Sequence, residues 1–278
     1  MQAPAKMHDS APHKAHFIGR GLHLHMATIY YNKKEKSAFH IMKSLDKSLD
    51  ILELAVLEER LGLTPGQAAD VLGLNIATCS RIMNRLCERG YLIRMRRRGA
   101  YAAGPMIATL FNRQGIFTQL SRAAEPRLRK FAAWLDMPVN LAVMHGKERI
   151  MLCFSAPATP GWLPWHEFRF SNHATSATGR LLLSTLPAEE AAKCLKGVNG
   201  AEELLSQLPE IRKQGFVDFD DTLFKLRIQG MLIDIPGCPP AAIGYGVRPE
   251  QSHAEAMRKL TVIAEEIRSE LLQTSGAF

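Results

Sequence analysis

No stretch of the 278-residue chain approaches the roughly 18–20 uninterrupted apolar residues that a membrane-spanning helix needs. Its five cysteines (Cys79, Cys87, Cys153, Cys194 and Cys238) are odd in number and have no close pair, so neither a disulfide framework nor a zinc site is suggested. A charged-then-apolar leader is missing, because His and Lys are scattered through the first residues, and the expected compartment is the cytoplasm. The motifs of common enzymes are missing as well: there is no GxSxG elbow, no HExxH and no P-loop. Gly19-Arg20-Gly21 and Gly244-Tyr245-Gly246 each lack the third glycine of a dinucleotide fingerprint. His145 and Cys153 flank a hairpin signal, and Cys153 reads as a core residue rather than a nucleophile. No enzymatic activity, no cofactor and no metal are expected. With 46% hydrophobic and 22% charged residues the chain is ordinary globular, which excludes a coiled coil, a fibre or wholesale disorder. Its length suits one large domain or two small ones.

What is present is positive charge, unevenly placed. The net charge is +8. Residues 1–41 hold six Lys/Arg against two acids, and residues 42–74 hold three against six. Residues 75–104 hold seven Arg against one acid, whereas residues 105–278 are nearly balanced at nineteen against eighteen. Arginine concentrated in one thirty-residue window is the footprint of a polyanion binder, although a charge run alone is more often a solvated face.

Residues 1–41 lack a sustained apolar period and hold six of the ten histidines, so they read as a disordered basic arm. From Met42 the pattern changes. Leu45, Leu49, Leu52 and Val56 recur at helical spacing and predict an amphipathic helix over about residues 44–60. Thr64-Pro65-Gly66-Gln67 is an N-cap with Pro at the first helical position and a capping-box Gln. The short helix it opens carries Ala68, Val71 and Leu72 inward and ends at Gly73. Asn75 caps a third helix with Cys79, Ile82, Met83 and Leu86 on one face, and Gly90 stops it. Tyr91-Leu92-Ile93, the basic run Arg94 to Arg98, Gly99 and Tyr101 then predict a hairpin with a basic tip.

Three short helices and a hairpin over residues 42–105 predict a winged helix-turn-helix that binds double-stranded DNA. With the apolar face of the third helix buried, Ala77, Thr78, Arg81, Asn84 and Arg85 face outward, where base edges and phosphates of a major groove would lie. Arg81 or Arg85 would read guanine. Arg94, Arg96, Arg97 and Arg98 would touch the backbone or the adjacent minor groove. Thr64, Asn75 and Ser80 complete the expected DNA-binding set.

Residues 106–122 predict a linker helix, and residues 123–278 a second domain of mixed α and β structure with a largely antiparallel sheet. Leu120, Ala124, Leu128 and Phe131 form a helical stripe. Val139–Met144 and Arg149–Phe154 flank a hairpin turn, and Met231–Ile235 and Ala241–Val247 predict two further strands. Helices are expected at 176–186, 189–195 and 202–214, and after the Ser252-x-x-Glu255 capping box. Gly161-Trp162-Leu163-Pro164-Trp165 reads as an aromatic loop, over a pocket or at a subunit contact.

Residues 42–272 resemble the IclR-type transcriptional regulators. The resemblance rests on the leading helix SLDKSLDILELA, the helix-turn-helix ending in Gly90-Tyr91, the wing closing on Gly104-Pro105, the segment Thr175 to Ser184, and Ile211-Arg212-Lys213-Gln214-Gly215-Phe216. It implies an α+β chain: a winged helix-turn-helix, a linker helix and a GAF-like sensing domain. It further implies a homodimer or homotetramer on a pseudopalindromic operator, and a small organic-acid effector that alters operator occupancy. The effector site it implies comprises Ala177, Thr178, Gly179, Asp220, Asp221, Arg227, Gly244 and Gly246. Arg227 stands where the family usually has Cys, and Gly244 and Gly246 where it has Ser. Two readings follow: Arg227 pairs with a carboxylate effector, or it is paired to Asp220 or Asp221 in a degenerate pocket. In the second case the chain would be a constitutive or architectural DNA-binding protein.

Overall fold

The computed structural model describes residues 43–275 apart from 59–61, 96–98, 114, 158–167, 222–224 and 236–237. The expected basic arm, the wing tip Arg96–Arg98 and the Trp162/Trp165 loop lie outside the described residues. The chain divides between Ala108 and Thr109 into two compact units.

The first unit begins with α1 (Lys43–Leu57), α2 (Pro65–Leu72) and α3 (Ile76–Glu88), followed by the wing strands β1 (Leu92–Arg94) and β2 (Tyr101–Ala103). The capping box at Thr64 forms in full, with the Gln67 side chain accepting from the Thr64 amide at 2.8 Å and Thr64 Oγ1 accepting from the Gln67 amide at 3.2 Å. Gly73 ends α2 in the left-handed conformation that a side chain would strain. The core joins Ile51, Leu54 and Ala55 of α1 to Ala68, Val71, Cys79, Met83, Leu92 and Tyr101. The face of α1 therefore differs from the expected stripe: Leu45 and Leu49 are 45% and 44% exposed. Ile51 and Leu54, which share a face at i, i+3, are buried instead, where α1 packs against α3 and β2. Gly90 and Gly104 let the two ends of the wing meet. The Gly104 amide bonds to the Tyr91 carbonyl at 2.8 Å, and a Cβ on Gly104 would overlap the Gly90 carbonyl.

In the stretch expected to hold the linker helix the chain forms α4 (Pro105–Phe111) and α5 (Ile116–Leu135), with Gly115 at the N-cap of the second, and α5 belongs to the second unit. The second unit is built on a six-stranded antiparallel sheet of order β5-β4-β3-β8-β7-β6. Its strands are β3 (Val139–His145), β4 (Glu148–Ser155), β5 (Arg169–Phe170), β6 (Phe216–Asp221), β7 (Leu226–Ile233) and β8 (Ala241–Val247). β5 and β6 escape the sequence pattern, the first being two residues long and the second carrying three aspartates. β7 also begins five residues earlier than the apolar run suggests, because its first half includes Arg227 and Gln229.

Side chains alternate between the sheet's two faces, and each face has its own core. On one, α5 and the C-terminal α9 (His253–Ser275) pack Leu128, Phe131, Leu260 and Ile267 against Val139, Leu141, Ile243 and Tyr245. On the other, α6 (Ala177–Leu183), α7 (Ala188–Cys194) and α8 (Ala201–Gln214) pack Ala177, Leu181, Leu195 and Leu208 against Ala142, Val217, Leu232 and Ala242. Arg127 ties α5 to α9, reaching Glu266 at 2.9 Å and Glu270 at 2.7 Å.

Candidate nucleic-acid interface and sensing face

Helix α3 presents the arrangement a major-groove reader needs. Cys79 and Met83 are fully buried, and Ile82 and Leu86 pack beside them. Ala77, Arg81, Asn84 and Arg85 are exposed on the opposite side, with Thr78 and Ser80 half-buried. Two of the expected DNA contacts already have structural work. Asn75 Oδ1 caps the helix through the Ala77 amide at 2.8 Å, and Thr64 is held in its capping box. Asn84 Oδ1 accepts from the buried Tyr101 hydroxyl at 2.7 Å, which fixes the side-chain oxygen and leaves the amide NH2 pointing toward solvent as donor. Arg85 pairs with Glu88 at 2.6 Å, a fully solvated pair that a phosphate would displace at little cost. Arg94 lies over the Tyr101 ring, 5.7 Å from its centroid. Ile76, 58% exposed in the first turn of α3, is an outward apolar residue that the charge argument passed over.

The eight residues expected around an effector do not converge on one place. Ladder register puts Asp218 opposite Gln229, Asp220 opposite Arg227, and Arg227 opposite Val247. These side chains point to the α5–α9 face. Arg227 is bound there at 2.5 Å to Asp218 and at 2.9 Å to Asp220, and the hydrogen bonds to the two carboxylates hold its guanidinium even more firmly protonated than usual. Asp220 is one of the two expected partners, and Asp218 rather than Asp221 is the other. Ala177, Thr178, Gly179, Asp221, Gly244 and Gly246 belong to the α6 face instead.

On that face the glycines serve close packing. A Cβ on Gly244 would come within 3.0 Å of Thr178 Cγ2 and 3.1 Å of Ala177 Cβ, so the start of α6 rests directly on bare backbone. Gly230, which sequence reasoning did not single out, does the same under Ala177 and Leu181. Gly246 faces Leu226 and Ile228. Asn140 is the polar residue sequence reasoning missed. It lies beside Gly244 and Phe154 in the ladder, and its Oδ1 is buried without a hydrogen-bond partner. A buried unpaired acceptor costs about 1–3 kcal/mol, and the described residues supply Asn140 Oδ1 with no partner. Among the described residues no group of His, Cys, Asp and Glu is arranged to hold a metal, and no helix is long and apolar enough to cross a membrane.

A winged helix-turn-helix followed by a helix-flanked antiparallel sheet defines the class. Residues 47–93 match the family described as winged helix-turn-helix DNA-binding. The crystal structure of an IclR homologue from Microbacterium hydrocarbonoxydans, complexed with 4-hydroxybenzoate, superposes with a TM-score of 0.68 at 19% identity, covering 83% of this chain and 99% of that one. The IclR-type regulator of Alicyclobacillus acidocaldarius gives 0.63 at 17% identity, covering 82% and 98%. The fold is that of the IclR-type transcriptional regulators. In sequence, the chain is 27% identical over 169 residues to the HTH-type transcriptional regulator TtgV of Pseudomonas putida (58% of this chain). It is 25% identical over 185 residues to the HTH-type transcriptional regulator Rv1719 of Mycobacterium tuberculosis (62% of this chain). The matched region spans 64% of the length of each of these two relatives.

Proposed function

We propose that the chain is a transcriptional regulator that binds a pseudopalindromic operator as a homodimer or homotetramer, and that a small organic acid alters its occupancy. The observation that carries the reading is the polar outer face of α3, where Ala77, Arg81, Asn84 and Arg85 stand opposite the buried Cys79 and Met83. Ala77 allows close approach, Asn84 offers an amide donor, and Arg81 has the reach for a bidentate bond to guanine. Arg94 and the arginines beyond it would supply phosphate contacts. A twofold assembly would read two half-sites spaced as its recognition helices are.

The sensing part of the reading is supported by the α6 face, where Asn140 Oδ1 lies unpaired next to Gly244 and Thr178. A ligand hydroxyl or protonated acid would satisfy it. A relative of this fold binds 4-hydroxybenzoate, which offers both an acid and a hydroxyl. Control would need the acid to favour one assembly geometry by about 1–3 kcal/mol, equivalent to roughly 5–150-fold in DNA affinity. The second reading, constitutive binding, is favoured by one observation: Arg227 is spent on Asp218 and Asp220, on the face away from α6.

Selection from a random duplex library, followed by titration of the winner at several salt concentrations, tests the first reading. Recovery of a short pseudopalindrome bound far above random DNA supports it, and a steep salt slope with no enriched motif refutes it. Adding 4-hydroxybenzoate and aliphatic hydroxy acids to that complex separates sensor from constitutive binder, since only the sensor shifts its DNA titration.

A further inference from the structure

Arg149 opens β4 on the α6 face and is only 4% exposed. An arginine is almost never buried this far without a carboxylate partner, yet Arg149 pairs with none among the described residues. Its Nη1 donates to Ser176 Oγ and its Nη2 to Asn172 Oδ1 at 2.9 Å, with the Phe170 ring centred 5.4 Å from Cζ. Its Nε is buried and has no hydrogen-bond partner among the described residues. Burial without a counter-charge lowers the guanidinium pKa to about 10.

A second unsatisfied group lies one residue from Asn172. His173 is 1% exposed, and its Nε2 sits 3.0 Å from the Lys147 carbonyl. A carbonyl only accepts, so Nε2 carries the proton and Nδ1 is left as an acceptor. That Nδ1 is buried and also has no partner among the described residues. The surround is rigid. Ser176 Oγ donates to the Asn172 carbonyl at 3.1 Å and accepts from the Gly179 amide at 3.2 Å, and His173 is pressed against Gly179, where a Cβ would overlap the His173 carbonyl. Ser171 and Asn172 are exposed, which puts the guanidinium one side chain below the surface.

We propose that Arg149 and His173 form a binding site for a compact oxyanion that also bears a hydroxyl, either an α-hydroxy carboxylate or hydrogen phosphate. Arg149 Nε and a free Nη proton form a fork for two oxygens, and His173 Nδ1 accepts from the hydroxyl. The site lies on the same sheet face as Gly244, but it depends on neither the DNA-binding reading nor an effector bound beside Asn140.

Isothermal titration of the full chain with sodium lactate, sodium phosphate and sodium acetate, each against sodium chloride at equal ionic strength, tests it. Lactate or phosphate binds saturably, and acetate, lacking the hydroxyl, binds more weakly. Arg149→Met weakens binding at least about tenfold, as loss of a charge-assisted bond requires. His173→Phe, which has no acceptor, removes the preference over acetate. If Arg149→Met does not fold, amide chemical shifts of the unaltered protein decide, because lactate or phosphate then moves Arg149 and Asn172 to Ser176 saturably. The proposal is overturned if none of the three salts binds, if the shifts lie elsewhere, if Arg149→Met binds unchanged, or if acetate matches both hydroxylated anions. Preference for phosphate over lactate, or the reverse, identifies the source.

Discussion

Replacing Gly230 by alanine probes the seating of α6 on the sheet. The added Cβ would lie 2.5 Å from the Ile243 carbonyl, 2.7 Å from Ala177 Cβ and 3.1 Å from Leu181 Cδ1. The first two are a strand backbone and the shortest of side chains, so neither gives way by changing rotamer. The helix must lift, which opens the contacts of Ala177, Leu181 and Leu182 on the α6 face. Inserting a methyl into such a packed site costs about 1–3 kcal/mol. For a unit of this size that lowers the melting temperature by roughly 2–12 °C. Gly66→Ala is the control. Nothing lies within 4 Å of its Cβ position, it sits within helix α2, and the exchange stabilises by about 0.5–1 kcal/mol through lower unfolded-state freedom. Thermal melts followed by circular dichroism read both. A Gly230→Ala protein that melts at or above the parent temperature would refute the close contact between α6 and the sheet, and with it the placement of Thr178 over Gly244.

Four other outcomes are expected. Met83→Ala, which empties a fully buried site between α1 and α3, costs about 2–5 kcal/mol and should abolish the cooperative urea transition of the winged domain. Tyr101→Phe removes the hydroxyl that holds Asn84, so it should lower urea stability by about 0.5–1.5 kcal/mol and blur sequence preference in a DNA competition assay without changing the salt slope. Arg227→Met breaks two solvent-screened pairs, and its urea midpoint should fall by no more than about 1 kcal/mol equivalent, with any effector response intact. Burial, joined by the charge of Arg149, holds His173 below its ordinary pKa of 6.5 in the folded chain. The unfolded chain therefore takes the proton first, so stability is complete above about pH 6.5 and declines as pH falls toward the lower folded value. Urea midpoints of parent and His173→Gln across that range should converge on acidification; parallel curves would rule out the contribution.

The winged domain was legible because each of its turns is written in residues whose chemistry is local. Thr64 and Gln67 cap, Gly73 and Gly90 terminate, and a 3.6-residue period in α3 names Cys79 and Met83 as core without reference to anything distant. The face of α1 was less legible. Two apolar stripes compete there, Leu45/Leu49/Leu52/Val56 and Ile51/Leu54/Ala55, and only the neighbours of the helix decide between them. β6 was invisible for a related reason: a strand at the edge of a sheet buries Val217 on one side and leaves Asp218, Asp220 and Phe216 exposed, so its composition resembles a loop.

The residues expected around the effector fall on both faces of the sheet, and a simple rule separates them. Within a strand, residues an odd number apart face opposite sides. Once residues 216–221 form a strand, Asp220 and Asp221 cannot line the same pocket. The register then carries Arg227 to the side of Asp220, because directly paired residues share a face. What sequence could not supply was the strand assignment itself, and a family pattern that places acids, Cys and Ser around one ligand hides the alternation by treating them as a set. Pairing across the sheet places Asn140 and Gly244 together beneath Thr178, and the β-bulge at Leu141/Ala142 brings Arg149, opposite Met144, onto that same face. Arg149 precedes a run of apolar residues and reads in sequence as a charged strand end exposed to water. Only the fold, by laying Asn172 to Ser176 across it, turns that ordinary position into a buried cation lacking a counter-charge. A residue of that kind is informative because burial alone makes it costly, and the cost falls when an anion is supplied.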